Sequence, residues 1–224
     1  MKTLAFDTST KFLTVALFDS CAMKASFHKD AGIRHSEILV PTIKDLLEGV
    51  KWNVSDIDLI AVGLGPGSFT GLRIGIATVK GLAASLGCKV VGVPTMDAII
   101  QNVPLEKKRI APLIDARKEK VYTCIYERGN RITDYLLVEC DEFLDQLTEE
   151  VLFFGDGVIK YKEKLDAHSL AMYDESIDWY PRATNIGLIG IEKSLSGVDS
   201  PETIDPLYLH EKECNITHQK KFGR

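Results

Sequence analysis

Gly63-Leu64-Gly65-Pro66-Gly67-Ser68-Phe69-Thr70-Gly71-Leu72-Arg73-Ile74-Gly75 is the stretch on which the fold turns. An apolar run, Ile57 to Val62, leads into it, and a run of helical character, Leu72 to Leu86, leads out. The chain therefore reads strand, glycine-rich turn, helix. Glycine opens backbone angles closed to other residues and lets a second surface come close. A helix start behind such a turn also presents backbone amides, which suit an anion or a partner. The stretch lacks the Lys-Ser/Thr ending of a P-loop, so that motif is excluded.

Working toward the N-terminus, Leu4-Ala5-Phe6 is a short apolar strand that ends in the turn cluster Asp7-Thr8-Ser9-Thr10. Phe12 to Phe18 and Met23 to His28 read as strands two and three, with Asp19-Ser20 near their hairpin turn. Ser36 is placed to cap a helix in which Ile38, Leu39, Ile43, Leu46 and Leu47 recur at helical period and Gly49 closes the run. Pro41 lies early in that helix and should cost one backbone hydrogen bond. Asp58 to Gly63 is almost wholly apolar, as a strand covered on both faces should be. Beyond the glycine stretch and its helix, Val90 to Val93 is a fifth strand and Thr95 to Asn102 a short helix.

The same syntax then starts again. Ile110 to Ile114 is a strand ending in Asp115. Lys120 to Tyr126 and Ile132 to Val138 follow as strands joined by a turn at Gly129-Asn130. Asp141 to Leu147 is helical, and Val151 to Phe154 is a strand running into Gly155-Asp156-Gly157. Phe6-Asp7 matches Ile114-Asp115, and Ala61-Val62-Gly63 matches Phe153-Phe154-Gly155. The expected organisation is an N-terminal lobe over 1–103, with the glycine stretch and partner helices, and a smaller, degraded C-terminal lobe with a tail over 104–224. In that second lobe only Ile186 to Leu195 reads clearly as a helix after Lys160. Duplicated lobes of strand-strand-strand-helix-strand-helix are the α/β architecture of actin, sugar kinases and heat-shock ATPases. In that fold nucleotide binds between the lobes, so Asp7 and Asp115 are expected to face each other across a cleft; fold alone does not grant the chemistry.

Composition sets outer bounds. The chain has 224 residues, 45% hydrophobic and 26% charged, with a net charge of −5, which excludes nucleic-acid binding through bulk positive charge. Its five cysteines (Cys21, Cys88, Cys124, Cys140, Cys214) are scattered without a CxxC, as expected of a reduced cytoplasmic setting. Met1-Lys2-Thr3-Leu4 leads straight into a polar turn, which predicts no signal peptide, and no apolar run approaches a membrane span.

Several segments together resemble the bacterial TsaB (YeaZ) family of tRNA threonylcarbamoyladenosine synthesis. They are Leu4 to Ser9, His35-Ser36 with Ile38-Leu39-Val40-Pro41, Gly65 to Gly75, Ile114-Asp115-Ala116-Arg117 with Val121-Tyr122, and Pro206-Leu207-Tyr208-Leu209. That family is similar to TsaD, the catalytic member, which transfers threonylcarbamoyl from its adenylate to the adenosine 3′ of the anticodon. TsaD carries a metal-binding HxxxH motif after its fifth strand. Two histidines four apart on one helical face can share an ion, but the corresponding positions here are Thr95 and Ile99. The resemblance thus implies a non-catalytic paralogue without metal or cofactor. It would bind a TsaD-like subunit, work with a TsaE-like ATPase, meet tRNA only through that complex, and pair with itself when alone. The older glycoprotease label finds no protease constellation here, and Ser68 has neither a GxSxG elbow nor a paired base.

Individual residues keep two readings. The glycine stretch either contacts a nucleotide, with Asp7, Thr8, Ser9, Gly65, Gly67, Asp115 and Arg117 around it, or serves close packing. Asp7 is a magnesium or water-positioning carboxylate, or it caps its own turn; Asp115 with Arg117 binds phosphate or forms a local ion pair. Gly71, Gly75 and Thr78 lie along one face of the second helix and would admit another helix closely. With Arg73, and with His35, Ile38, Leu39 and Thr42 on the first helix, they form the expected partner surface. His210, Cys214 and His218 are too few for a structural zinc. Lys212, Lys220, Lys221 and Arg224 make the C-terminus basic and suit a solvated tail, tRNA phosphates or the partner. The leading expectation is a scaffold; the alternative is a nucleotide-hydrolysing or small-molecule kinase enzyme using Asp7 and Asp115.

Overall fold

A computed structural model describes residues 1–103 and 109–209. The readings of His210, Cys214, His218, Lys212, Lys220, Lys221 and Arg224 lie outside the described residues. The chain opens with β1 (Lys2–Asp7), β2 (Phe12–Asp19), β3 (Ala22–Asp30), α1 (His35–Gly49), β4 (Leu59–Gly63), α2 (Phe69–Leu86), β5 (Lys89–Val93) and α3 (Thr95–Ile99). The sheet order is β3-β2-β1-β4-β5. β1 pairs antiparallel with β2 and parallel with β4, and β5 continues the parallel half.

The second half contains β6 (Arg109–Arg117), β7 (Lys120–Thr123), β8 (Tyr126–Glu127), β9 (Asn130–Arg131), β10 (Leu136–Glu139), α4 (Cys140–Leu144), β11 (Val151–Phe154), α5 (Asp156–Lys160), α6 (Lys162–Ala167), β12 (Ala171–Tyr173) and α7 (Ala183–Ser194). Its sheet order is β10-β7-β6-β11-β12, with β8 and β9 as a small hairpin off β6. Strand for strand this repeats the first sheet: β6 lies antiparallel to β7 and parallel to β11, as β1 does to β2 and β4. The duplicated actin-like architecture expected from the sequence is present. Apart from β6, the second copy has shorter strands than the first, and its helices α4 to α6 are short; the expected strand 120–126 is split between β7 and β8, and of the expected strand 132–138 only 136–138 is strand, in β10. The tight turn falls on Arg128-Gly129, at φ 49° and 81°, one residue ahead of the Gly129-Asn130 reading, because Glu127 pairs with Asn130.

Contacts divide the chain into a unit of Met1–Ala98 with Tyr180–Tyr208 and a unit built on Ile99–Trp179. This departs from the expected 104–224 lobe, because the last helix returns to the first sheet. One face of that sheet carries Leu4, Phe6, Val15, Ile60 and Val62 against Leu39, Ile43, Leu47, Ile76 and Val79 of α1 and α2. The opposite face carries Ala5, Ala16, Phe18, Ala61 and Val93 against Ala183, Ile186 and Ile191 of α7. Small residues let α7 lie flat on it: a β-carbon at Gly190 would sit 2.4 Å from the Ala61 methyl. The second unit has its own core around Leu113, Val121, Phe143, Phe153 and Leu165.

Helix α1 starts one residue before Ser36. Its cap is Arg34, with no side-chain hydrogen bond, and Pro41 is inside the helix as expected. Among the described residues no helix is long and apolar enough to cross a membrane.

Candidate functional site

The glycine stretch wraps the end of β1. The Thr8 hydroxyl donates to the Gly71 carbonyl at 2.8 Å, and the Ser68 amide donates to the Ser9 carbonyl at 2.7 Å. Four glycines make this possible. A β-carbon at Gly63 would lie 1.8 Å from Asp7 Oδ2, at Gly67 2.3 Å from the Ser9 oxygen, at Gly71 2.0 Å from the Thr8 oxygen and at Gly75 2.6 Å from Thr8 Oγ1. The glycines of the stretch thus pack closely against Asp7, Thr8 and Ser9. The α2 start is capped within the chain, with Ser68 Oγ accepting from the Gly71 amide at 3.3 Å. The Gly65 amide donates to Thr95 Oγ1 at 3.0 Å, and the Gly65–Pro66 bond is cis.

Asp7 is fully buried. Its Oδ1 accepts from the Ser9 amide at 2.7 Å and the Ser9 hydroxyl at 2.6 Å, and its Oδ2 accepts from the Thr95 hydroxyl at 2.7 Å. The turn-capping role is thus built, and both carboxylate oxygens are engaged by the protein. Burial pushes the Asp7 pKa up; the Ser9 and Thr95 hydrogen bonds and the field of His35 oppose that without cancelling it. A carboxyl raised in the folded state binds its proton more tightly there than when unfolded, so its ionisation erodes stability as pH rises above the ordinary aspartate value of 3.8. Asp7→Asn keeps an acceptor toward Ser9 and removes the buried charge. Urea unfolding across pH 4 to 8 should show a shallower loss of stability with rising pH in Asp7→Asn than in the wild type; parallel curves would contradict the assignment.

The metal-motif positions are occupied otherwise. Thr95 is buried, with its hydroxyl spent between Asp7 and Gly65, and Ile99 is buried as well. Among the described residues no group of three or more His, Cys, Asp or Glu could hold a metal ion. The side chains present do not fit the ion of the HxxxH pattern.

Asp115, in the second unit, is not the register counterpart of Asp7: Phe6 pairs with Val62 and Pro112 with Phe154, so Leu113 takes the place of Asp7 and the partly exposed Asp115 lies two residues farther along β6. Its Oδ1 accepts from the Arg117 amide at 2.9 Å and from Lys160 Nζ at 2.8 Å. Burial pulls its pKa up, but Lys160 and the Arg117 amide outweigh that and hold it below the ordinary value. Its backbone amide donates to Asp156 Oδ1 at 3.0 Å. Gly155 and Gly157 lie against the Leu113 carbonyl, where β-carbons would sit 2.5 and 2.6 Å away. Arg117, Lys118 and Glu119 all take positive φ in the hairpin, a conformation that their residue types do not announce.

The expected partner surface is partly turned inward. His35, Leu39, Thr42, Gly71 and Gly75 are buried; the two glycines face Thr8 rather than a second helix. Ile38 and Thr78 are half-buried and Arg73 is exposed. The open side of α2 instead follows Arg73, Ala77, Gly81 and Ala84, and nothing lies within 4 Å of a β-carbon built at Gly81. Beside it, α1 exposes Val40 and Pro41, and Ile33 precedes it at 96% exposure. The signal for this surface was present in the sequence as small residues at helical spacing, displaced from the glycines by about a third of a turn.

The family model for TsaD, tRNA N6-adenosine threonylcarbamoyltransferase, matches residues 24–185. The TsaB proteins of tRNA threonylcarbamoyladenosine biosynthesis are similar over full length. That of Escherichia coli is 35% identical, covering 100% of both chains, and that of Bacillus subtilis is 28% identical, covering 99% of this chain and 100% of that one. Among solved structures, YeaZ from Pseudomonas aeruginosa superposes with a TM-score of 0.76 at 29% identity, over 93% of this chain and 99% of that one.

Proposed function

The chain belongs to the TsaB (YeaZ) family, matched by the TsaD family model, and from that premise we propose that it is a non-catalytic scaffold in tRNA threonylcarbamoyladenosine biosynthesis. Its task in this reading is to bind the catalytic TsaD-like subunit, so that the adenosine 3′ of the anticodon is modified by the partner. A TsaE-like ATPase joins the assembly, and tRNA is met through it. The observation that carries the reading is the state of Thr95: where the catalytic member offers a metal-binding histidine, this chain has a hydroxyl consumed in holding Asp7 and the Gly65 amide. A nucleotide-hydrolysing enzyme built on Asp7 gains no support from a carboxylate whose two oxygens both accept from protein donors.

The exposed flanks of α1 and α2 support the binding role. The two helices pack side by side, and their open sides carry Val40, Phe69, Ala77, Gly81 and Ala84. Small residues on an open helix face let a partner helix approach closely, and exposed apolar side chains of this kind favour association. The same surface would serve the homodimer. Gly75 is a poor probe, since a side chain there collides with Thr8 inside the unit. The pair Val40→Glu and Ala77→Glu places charge on the open flanks and leaves the core alone. In size-exclusion and pull-down assays the double variant should lose the complex with the TsaD-like subunit while its melting temperature stays within a few degrees of the wild type. A full-strength complex would refute the surface.

A further inference from the structure

The exposed Arg73 is held by two neighbours. Its guanidinium carbon lies 3.8 Å from the centre of the Phe69 ring, and its Nε donates to the Tyr208 hydroxyl at 3.2 Å. The Phe69 and Tyr208 rings are themselves 5.4 Å apart. Tyr208 arrives there on a segment that follows α7 and runs along α2. Asp199 bridges to Val90, Ile204 is buried, Lys80 Nζ reaches Asp205 at 3.1 Å, and the Leu207 amide donates to the Leu64 carbonyl at 2.8 Å. The anchor is thus tied at its base to the glycine stretch.

Among the described residues no carboxylate pairs with Arg73. One face of the guanidinium is covered and Nε is taken, so the terminal nitrogens remain as an end-on fork. A guanidinium already fixed by stacking and by a hydroxyl loses little rotamer entropy when it is bound. We propose that Arg73, stacked on Phe69 and held by Tyr208, is a preorganised anchor for a carboxylate on the catalytic partner. This rests on the scaffold reading above and names the chemistry of its contact.

A carboxylate fits better than nucleic-acid phosphate. Phosphate backbones are gripped by several cations at once. Here the exposed positions that follow Arg73 on α2 are Ala77, Gly81, Ala84 and Ser85, none of them a cation, and Lys80 is already bound to Asp205. A lone guanidinium beside an exposed aromatic ring and small residues has the character of a protein hot spot.

The test is calorimetric titration with the purified TsaD-like subunit of the same organism, at low and high salt, with circular dichroism to verify folding. Arg73→Ala should weaken binding about a hundredfold and flatten its salt dependence; Arg73→Lys should recover only part, because an ammonium lacks the fork. Tyr208→Phe should cost roughly fivefold by releasing Nε. If Arg73→Ala and Tyr208→Phe bind as the wild type while the Val40→Glu, Ala77→Glu pair does not, the anchor is wrong and the scaffold reading stands. If every variant binds as the wild type, the scaffold reading itself falls. An Arg73→Ala defect confined to self-association, or to binding of tRNA alone, would also overturn the anchor.

Discussion

Gly71→Ala is expected to cost more than about 4 kcal/mol, a large share of the whole stability of a domain of this kind. The new methyl would meet the Thr8 carbonyl oxygen at 2.0 Å, and neither side has room to yield. Thr8 follows the central strand β1, and its hydroxyl donates back to the Gly71 carbonyl. Moving α2 outward would break that bond together with the Ser68-to-Ser9 backbone contact and open the apolar layer under Ile76 and Val79. The same substitution at Gly81 should do the opposite. Gly81 is in the same helix, and a β-carbon there meets nothing within 4 Å, so alanine gains its ordinary helical advantage of about 0.5–1 kcal/mol. Urea midpoints of the two variants, measured side by side, decide the matter. A Gly71→Ala protein that melts with the wild type would mean that the glycine stretch does not clasp β1 as described.

The second large effect is expected at Thr95. Its hydroxyl donates to Asp7 Oδ2 and accepts from the Gly65 amide, both within the buried interior. Thr95→Val keeps the shape and removes both bonds. A carboxylate oxygen and a backbone amide are then left without partners, at a cost of about 3 kcal/mol. Thr95→Ser keeps the hydroxyl and loses one buried methyl, for about 1 kcal/mol. The contrast between the two separates hydrogen bonding from packing. Because the Val variant leaves Asp7 short of a donor, its stability should also fall more steeply with rising pH than that of the wild type. Equal midpoints for Val and Ser would remove Thr95 from the site.

The architecture was legible where elements are long and uniform. The five strands of the first sheet are legible because β4 and β5 are mostly apolar and β1 carries the apolar run Leu4 to Phe6, all covered on both faces. The recurrence of strand-Asp and strand-Gly syntax gave the duplication, and both sheets do share one strand order. Boundaries in the second unit were blurred because β7 to β10 are only a few residues each, too short for an alternating pattern to register.

The site was half legible. Small residues and glycines announce that something comes close, but not what. At Gly71 and Gly75 the approaching surface is the chain's own Thr8, so the open face of α2 lies instead along Ala77, Gly81 and Ala84. The home of α7 was unreadable for a related reason. An amphipathic pattern such as Ile186-Gly187 to Gly190-Ile191 states that a helix has a face to bury, while the choice of sheet depends on facing residues such as Phe18 and Ala61, far away in sequence.

That return of α7 fixes the order of events during synthesis. Five strands and the helices α1 and α2, with most of α3, leave the ribosome early, yet Ala5, Phe18, Ala61 and Val93 lack their α7 cover until residues near 190 have been made. Domains that complete themselves early are safe early; this one stays open until α7 has been made. A chain terminated after the second sheet would therefore carry an open greasy flank and would not be a smaller working version of the protein.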